Sequence, residues 1–273
     1  MKKEKEGELK LCLLEEFYSI QGEGLYAGRP TLFIRLQGCD LCCTWCDTNH
    51  GKPSPGLHPG YEVPESLWWT TYPDGIRIPH ICITGGEPLL QQEAVCRWIA
   101  EFMFSTNFDR KHIQSITIET GGGQDIHKFK QDLEYAIAYE RKEAHGLARA
   151  KFQYFFDATI SICVDYKLSS SGQTSKMLLD NFHSSGLYGL STDDCVKFVI
   201  QTTEDLKEAF EAVAVFGFGY TNVFFSPCWS DEIEIYLDRC RMIASSVGEW
   251  NSKFDWKDSI GISLQTHKLL QLS

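Results

Sequence analysis

The chain lacks a hydrophobic run near its start that is long enough to matter to a membrane. The charged segment Met1 to Lys10 is followed only by the apolar stretch Leu11 to Leu14, too short for a signal core or a bilayer span. Basic residues are also scarce, with 26 Lys and Arg against 37 Asp and Glu and a formal net charge of -11. That balance removes the electrostatic footprint needed to grip a phosphate backbone or an anionic membrane. Neither nucleic acid nor membrane is an expected direct partner, and a cytoplasmic protein is predicted. No repeat, low-complexity tail or linker-like tract divides the 273 residues, of which 43% are hydrophobic. One domain over residues 1–273 with a substantial core is the expectation.

Cysteine, by contrast, is abundant. The count is eleven, an odd number, with a tight cluster between positions 39 and 46 that does not resemble a secreted disulfide framework. Metal binding is the better reading.

Short runs rich in β-branched or aromatic residues recur along the chain with helical stretches between some of them: Thr31 to Leu36, His80 to Ile83, Ser115 to Glu119, Ile160 to Val164, Cys195 to Ile200 and Asn222 to Phe225. The rhythm predicts an α/β fold with a mostly parallel sheet. Leu206, Ala209, Phe210 and Val213 follow the spacing of an amphipathic helix, and Ile233, Tyr236, Leu237 and Cys240 repeat it, with Asp231 as the expected cap of the second helix. Residues 49–79, rich in Gly and Pro and carrying Trp68 and Trp69, read as an irregular insertion, either a lid over a ligand or a surface excursion.

The segment Gln37-Gly38-Cys39-Asp40-Leu41-Cys42-Cys43-Thr44-Trp45-Cys46-Asp47-Thr48 follows a predicted strand directly. It thus sets several thiols where α/β sheets collect their ligands. Three closely spaced thiolates suit three irons of a cubane, leaving the fourth iron open to a small chelating ligand. A tetrahedral zinc site of Cys39, Cys42, Cys43 and Cys46 is the rival, although zinc ribbons usually part their two pairs by a longer loop. Cys12, Cys82, Cys96, Cys163, Cys195 and Cys240 each sit in an apolar run and read as buried thiols.

The pattern Cys39-x3-Cys43-x2-Cys46 with Trp45 before the last cysteine is similar to the signature of the radical S-adenosylmethionine (SAM) superfamily. Thr84-Gly85-Gly86-Glu87-Pro88, after the next predicted strand, resembles its second-strand motif. Tyr18-Ser19-Ile20-Gln21-Gly22-Glu23-Gly24, Arg35, Asp47-Thr48 and the ending Leu264-Gln265-Thr266-His267-Lys268 narrow the resemblance to the 7-carboxy-7-deazaguanine synthase family. That likeness implies a modified, partial (β/α) barrel of radical SAM type and a homodimer. It also implies a lyase that uses a 4Fe-4S cluster, SAM and Mg2+ to rearrange 6-carboxy-5,6,7,8-tetrahydropterin to 7-carboxy-7-deazaguanine with loss of ammonia. An external electron donor is implied too.

Carried over residue by residue, the resemblance places Cys39, Cys43 and Cys46 on the cluster and Thr48 on Mg2+. Trp45, Cys46, Asp47 and Gly86 fall on SAM, and Ile20, Gln21, Gly22, Arg35, Thr84 and Ser273 on the pterin. Two further SAM elements depart from the family pattern: Ser-Pro-Lys is here Asp165-Tyr166-Lys167, and the Gln-Pro segment is Ser226-Pro227-Cys228-Trp229. Plainer readings stand beside these, with Gln21 as a turn residue, Arg35 as a strand ion pair, Thr48 as a helix cap or turn residue and Ser273 as a frayed end. Glu119, before Gly121-Gly122-Gly123, is a candidate ribose partner by position. Two rivals share the core motifs or the cysteines: a radical SAM activase acting on a partner protein, and a zinc-binding module with no catalytic role.

Overall fold

Each run singled out as a strand forms one. The computed structural model describes residues 11–48, 79–104, 113–143, 159–183, 188–219, 221–253 and 260–271. Residues 49–78 of the expected insertion and Ser273 lie outside them. The strands are β1 (Leu13–Ile20), β2 (Pro30–Leu36), β3 (His80–Gly85), β4 (Ser115–Thr120), β5 (Thr159–Tyr166), β6 (Cys195–Ile200), β7 (Asn222–Pro227) and β8 (Ile260–Ile262). They lie side by side in sequence order, β1 antiparallel to β2 and every later neighbour parallel. The expected α/β architecture is therefore present as an open, eight-stranded sheet.

The pleat explains the two faces. Ile34, Ile83, Ile118 and Ile162 stand in register across β2 to β5, and all are almost fully buried. This outer face belongs to the same core as apolar side chains of α1 (Gln92–Phe104) and α2 (Ile126–Glu143), among them Val95, Ile99, Phe129 and Leu133. Farther along, α3 (Thr203–Phe216) and α4 (Ile233–Asn251) join it through Ala209, Val213, Ile243 and Val247. On the inner face the register partners Arg35 and Thr84, and farther along Asp165 and Lys197, line a cavity. A buried outer face and a polar inner one are what a partial barrel requires.

The gap between the first and last strands is bridged by isolated hydrogen bonds. Gly24 N–H donates to Ser263 Oγ at 2.8 Å, and Thr266 Oγ1 donates to the Gly22 carbonyl at 3.1 Å. Thr266 opens α5 (Thr266–Leu269), the short terminal turn.

One helix start differs from expectation. Asp231 does not cap α4; Glu232 is the cap residue and makes no side-chain cap bond, while Asp231 Oδ1 accepts from Trp229 Nε1 at 3.2 Å. The nearby indole takes the carboxylate that the backbone would have used. A reciprocal capping box instead starts α3, between Thr202 and Asp205.

Candidate active site

The cavity opens at the C-terminal ends of the parallel strands and has a volume of about 450 Å³. Cys39, Cys43 and Cys46 line it, whereas Cys42 of the same loop is exposed and stands outside the lining. The loop is pinned from two sides. Thr44 Oγ1 donates to the Ser170 carbonyl at 2.7 Å beyond β5, and Gln124 Nε2 donates to Asp40 Oδ2 at 2.8 Å beyond β4. A third tie runs from β3: Glu87 N–H donates to the Gly38 carbonyl at 2.8 Å.

That last contact needs the glycine before it. A Cβ at Gly86 would lie 1.8 Å from the Gly38 carbonyl oxygen, so only glycine lets the end of β3 run against the cysteine loop. Glu87 then turns its carboxylate inward, where it accepts from Leu89 N–H (3.0 Å), Thr120 Oγ1 (2.7 Å) and Gly121 N–H (2.7 Å). Burial pushes its pKa up, against those three donors. The glycine-rich motif is thereby a joint between the cysteine loop and the end of β4.

Burial also raises the thiols, Cys39 to about 11 and Cys43 above its ordinary value, with the Lys167 ammonium opposing the rise at Cys43. Loading a metal on these sulfurs must therefore release protons. Among the described residues no three His, Cys, Asp or Glu side chains are gathered into a metal-holding arrangement. The donor chemistry nonetheless fits an iron-sulfur cluster: three soft thiols of one pinned loop face one cavity, with the fourth turned out.

Glu119, at the end of β4, accepts from Thr84 Oγ1 at 2.8 Å and from Gln21 Nε2 at 3.2 Å. Gln21 is buried, and its Oε1 accepts from Glu23 N–H at 3.3 Å, which fixes which way its amide points. Glu119 thus stands between two residues expected at the pterin. Arg35 lines the cavity with its Nε 3.2 Å from Glu15 Oε1, close enough for an ion pair but out of line for a hydrogen bond. Its guanidinium lies 5.1 Å from the Phe17 ring centre.

Ile20, Trp45, Asp47, Thr48, Thr84 and Gly86 also line the cavity. Gly22 does not, because His267 packs on it so closely that a Cβ there would sit 1.8 Å from Nδ1. His267 itself faces the cavity, with its pKa lowered by burial. Lys268 joins it there, hydrogen-bonded to Asp47 and 5.5 Å from the Trp229 ring centre.

The two variant elements divide. Asp165 and Lys167 line the cavity, but strand alternation turns Tyr166 the other way, onto Phe182 and Phe198 at 4.8 and 5.0 Å. Cys228 and Trp229 line it as well. Ser226 does not, being buried with its hydroxyl donated to the Ser263 carbonyl at 2.8 Å, and Pro227 is buried outside the lining. The side chains of Tyr166, Ser226 and Pro227 thus turn away from the cavity, and only their backbone is left to meet a ligand there.

No family model matches the chain. A protein of Methanospirillum hungatei JF-1 named 7-carboxy-7-deazaguanine synthase is 31% identical over 224 residues, covering 81% of this chain and 74% of that protein. The chain belongs to the 7-carboxy-7-deazaguanine synthase family. A 7-carboxy-7-deazaguanine synthase of Thermoplasma acidophilum is likewise 31% identical, over 84% of this chain and 88% of its own. Among solved structures, QueE from Escherichia coli aligns over 92% of both chains with 20% identity and a TM-score of 0.49.

The cavity residue Lys197 was not singled out from the sequence. It hydrogen-bonds to Glu23 within the cavity wall, and the two lie 174 residues apart in the chain. No local pattern signals such a pair.

Proposed function

We propose that the chain converts 6-carboxy-5,6,7,8-tetrahydropterin to 7-carboxy-7-deazaguanine with loss of ammonia, as a radical SAM lyase of queuosine and deazapurine biosynthesis. One observation carries this reading. The three spaced thiols and the residues expected at the pterin, Gln21, Arg35 and Thr84, share a single cavity in a member of this family.

Cys39, Cys43 and Cys46 hold the cluster in this account. Such a cluster, with SAM bound, would supply the one-electron chemistry of the reaction. The chain's own residues bind, orient and shield. Trp45, Asp47, Gly86 and Lys167 surround the SAM side, and Thr48 offers the hard oxygen that Mg2+ prefers. Ile20, Gln21 and Thr84 frame the pterin ring, with Gln21 held in one orientation by Glu119 and Glu23 and Gly22 set behind them under His267. Arg35 supplies a guanidinium for the substrate carboxylate. The turn carrying His267 and Lys268 closes the cavity over Gly22 and Asp47 and keeps water from the reacting centre. An external electron donor and assembly as a homodimer complete the proposal.

A cavity of about 450 Å³ suits a small molecule better than a protein segment, which favours the pterin over the activase alternative. The test is anaerobic incubation of the iron-reconstituted protein with dithionite, SAM, Mg2+ and the pterin, followed by mass spectrometry. The expected product is 7-carboxy-7-deazaguanine, with one ammonia released for each. SAM cleavage without any deazapurine would discard the substrate.

A further inference from the structure

One ammonium is shared by two carboxylates at the wall of the cavity. Lys197 Nζ, on β6, lies 2.5 Å from Glu23 Oε2 and 3.3 Å from Asp165 Oδ1. Each carboxylate uses its second oxygen elsewhere: Glu23 Oε1 accepts from Gln265 Nε2 at 2.6 Å, and Asp165 Oδ2 accepts from Lys167 Nζ at 2.9 Å. The chain of contacts runs from Lys167, which is close enough to Cys43 to influence its thiol, to the turn that carries Gln21 and Gly22. Two ammoniums and two carboxylates balance, so the string is neutral as a whole.

The side chains of Lys197 and Glu23 are only 13% and 11% exposed, so neither charge is well served by water. Burial alone would pull the Lys197 pKa down, yet Asp165 and Glu23 push it well above its usual value. The ammonium is thus a fixed charge at neutral pH. Asp165, with its side chain only 22% exposed, is a second largely buried carboxylate on this wall and requires a counter-charge. Lys197 supplies it while also holding Glu23. The side of the cavity assigned to SAM and the turn assigned to the pterin are therefore set by one shared group.

We propose that Lys197 is a positioning residue that fixes the end of β5 and the Gln21–Gly22 turn relative to each other, so that SAM and pterin affinity depend on the same ammonium. This rests on the proposed function. The test is equilibrium binding to the cluster-loaded protein without reductant, so that no turnover occurs, with SAM and 6-carboxytetrahydropterin titrated separately. Lys197→Met is expected to weaken each ligand by about tenfold or more, and Lys197→Arg to recover most of both losses.

The crossed variants carry the sharper expectation. Asp165→Asn weakens the pterin, and Glu23→Gln weakens SAM, each by roughly threefold or more, although neither change is on that ligand's side. A Lys197→Met protein that melts lower but keeps both affinities would reduce Lys197 to a stabilising ion pair and overturn the proposal, as would weakening of one ligand alone. If Lys197→Met does not fold, the crossed variants decide: effects confined to the near ligand overturn the proposal. Should the wild-type protein bind SAM but no pterin, the substrate assignment fails, and the effect of Glu23→Gln on SAM still tests Lys197.

Discussion

Gly86 lies against the carbonyl of Gly38 so closely that a Cβ would fall 1.8 Å from its oxygen. Two motifs separated in sequence by the whole 49–78 segment are thereby in backbone contact, and the second fixes the first. Gly86→Ala must push the cysteine loop away from β3. The expected cost is about 1–3 kcal/mol from overpacking, read as a lower melting temperature. Iron content after anaerobic reconstitution should fall sharply in the same variant. Full iron loading at an unchanged melting temperature would contradict the contact.

Cys42 and Cys43 are adjacent yet differently placed, the first exposed outside the cavity lining and the second within it. Cys42→Ala should keep iron content and product formation near wild type. Cys43→Ala should lose both. Equal loss in the two variants would support a four-sulfur zinc site instead.

His267 is held over Gly22, where a Cβ would overlap Nδ1 at 1.8 Å. The imidazole can swing away, so Gly22→Ala should cost less than about 1 kcal/mol of stability. It should nonetheless lower kcat/KM for the pterin by about tenfold or more, since the turn that closes the cavity is displaced. Unchanged kinetics would mean that His267 has no part in closing the site.

Asp165 provides a pH signature. Burial pushes its pKa up, but Lys167 and Lys197 outweigh burial and hold it below the ordinary value of 3.8. A carboxylate depressed on folding adds stability that is fully present above the unfolded value and is lost as pH falls through the folded one. The melting-temperature gap between wild type and Asp165→Asn should therefore hold from about pH 7 to about pH 5 and close below about pH 4. A gap that does not narrow as pH falls below the ordinary carboxylate value would show that the ion pairs are not its source.

Much of this fold was legible in the sequence because its buried strands announce themselves. The isoleucine row of β2 to β5 sits in β-branched runs that periodicity detects. β1 was not read as a strand: LLEEFYSI places two glutamates in the middle of an edge strand. β8, at three residues, is too short to show a pattern. The cysteine loop and the glycine motif were readable because each packs its chemistry into a few consecutive positions. Lys197 was not, nor were the pairings of Glu23 with Lys197 and with Gln265, since they join residues 174 and 242 positions apart. Asp231 shows the opposite failure, a correct local motif overruled by an indole two residues away.

The most direct test of the three-thiol site is electron paramagnetic resonance of the anaerobically reconstituted, dithionite-reduced protein before and after SAM is added, with iron quantified on the same sample. The account predicts about four irons per chain and a reduced-cluster signal that changes on SAM addition, because one iron remains open to the ligand. Stoichiometric zinc without iron, or a cluster signal indifferent to SAM, would contradict it.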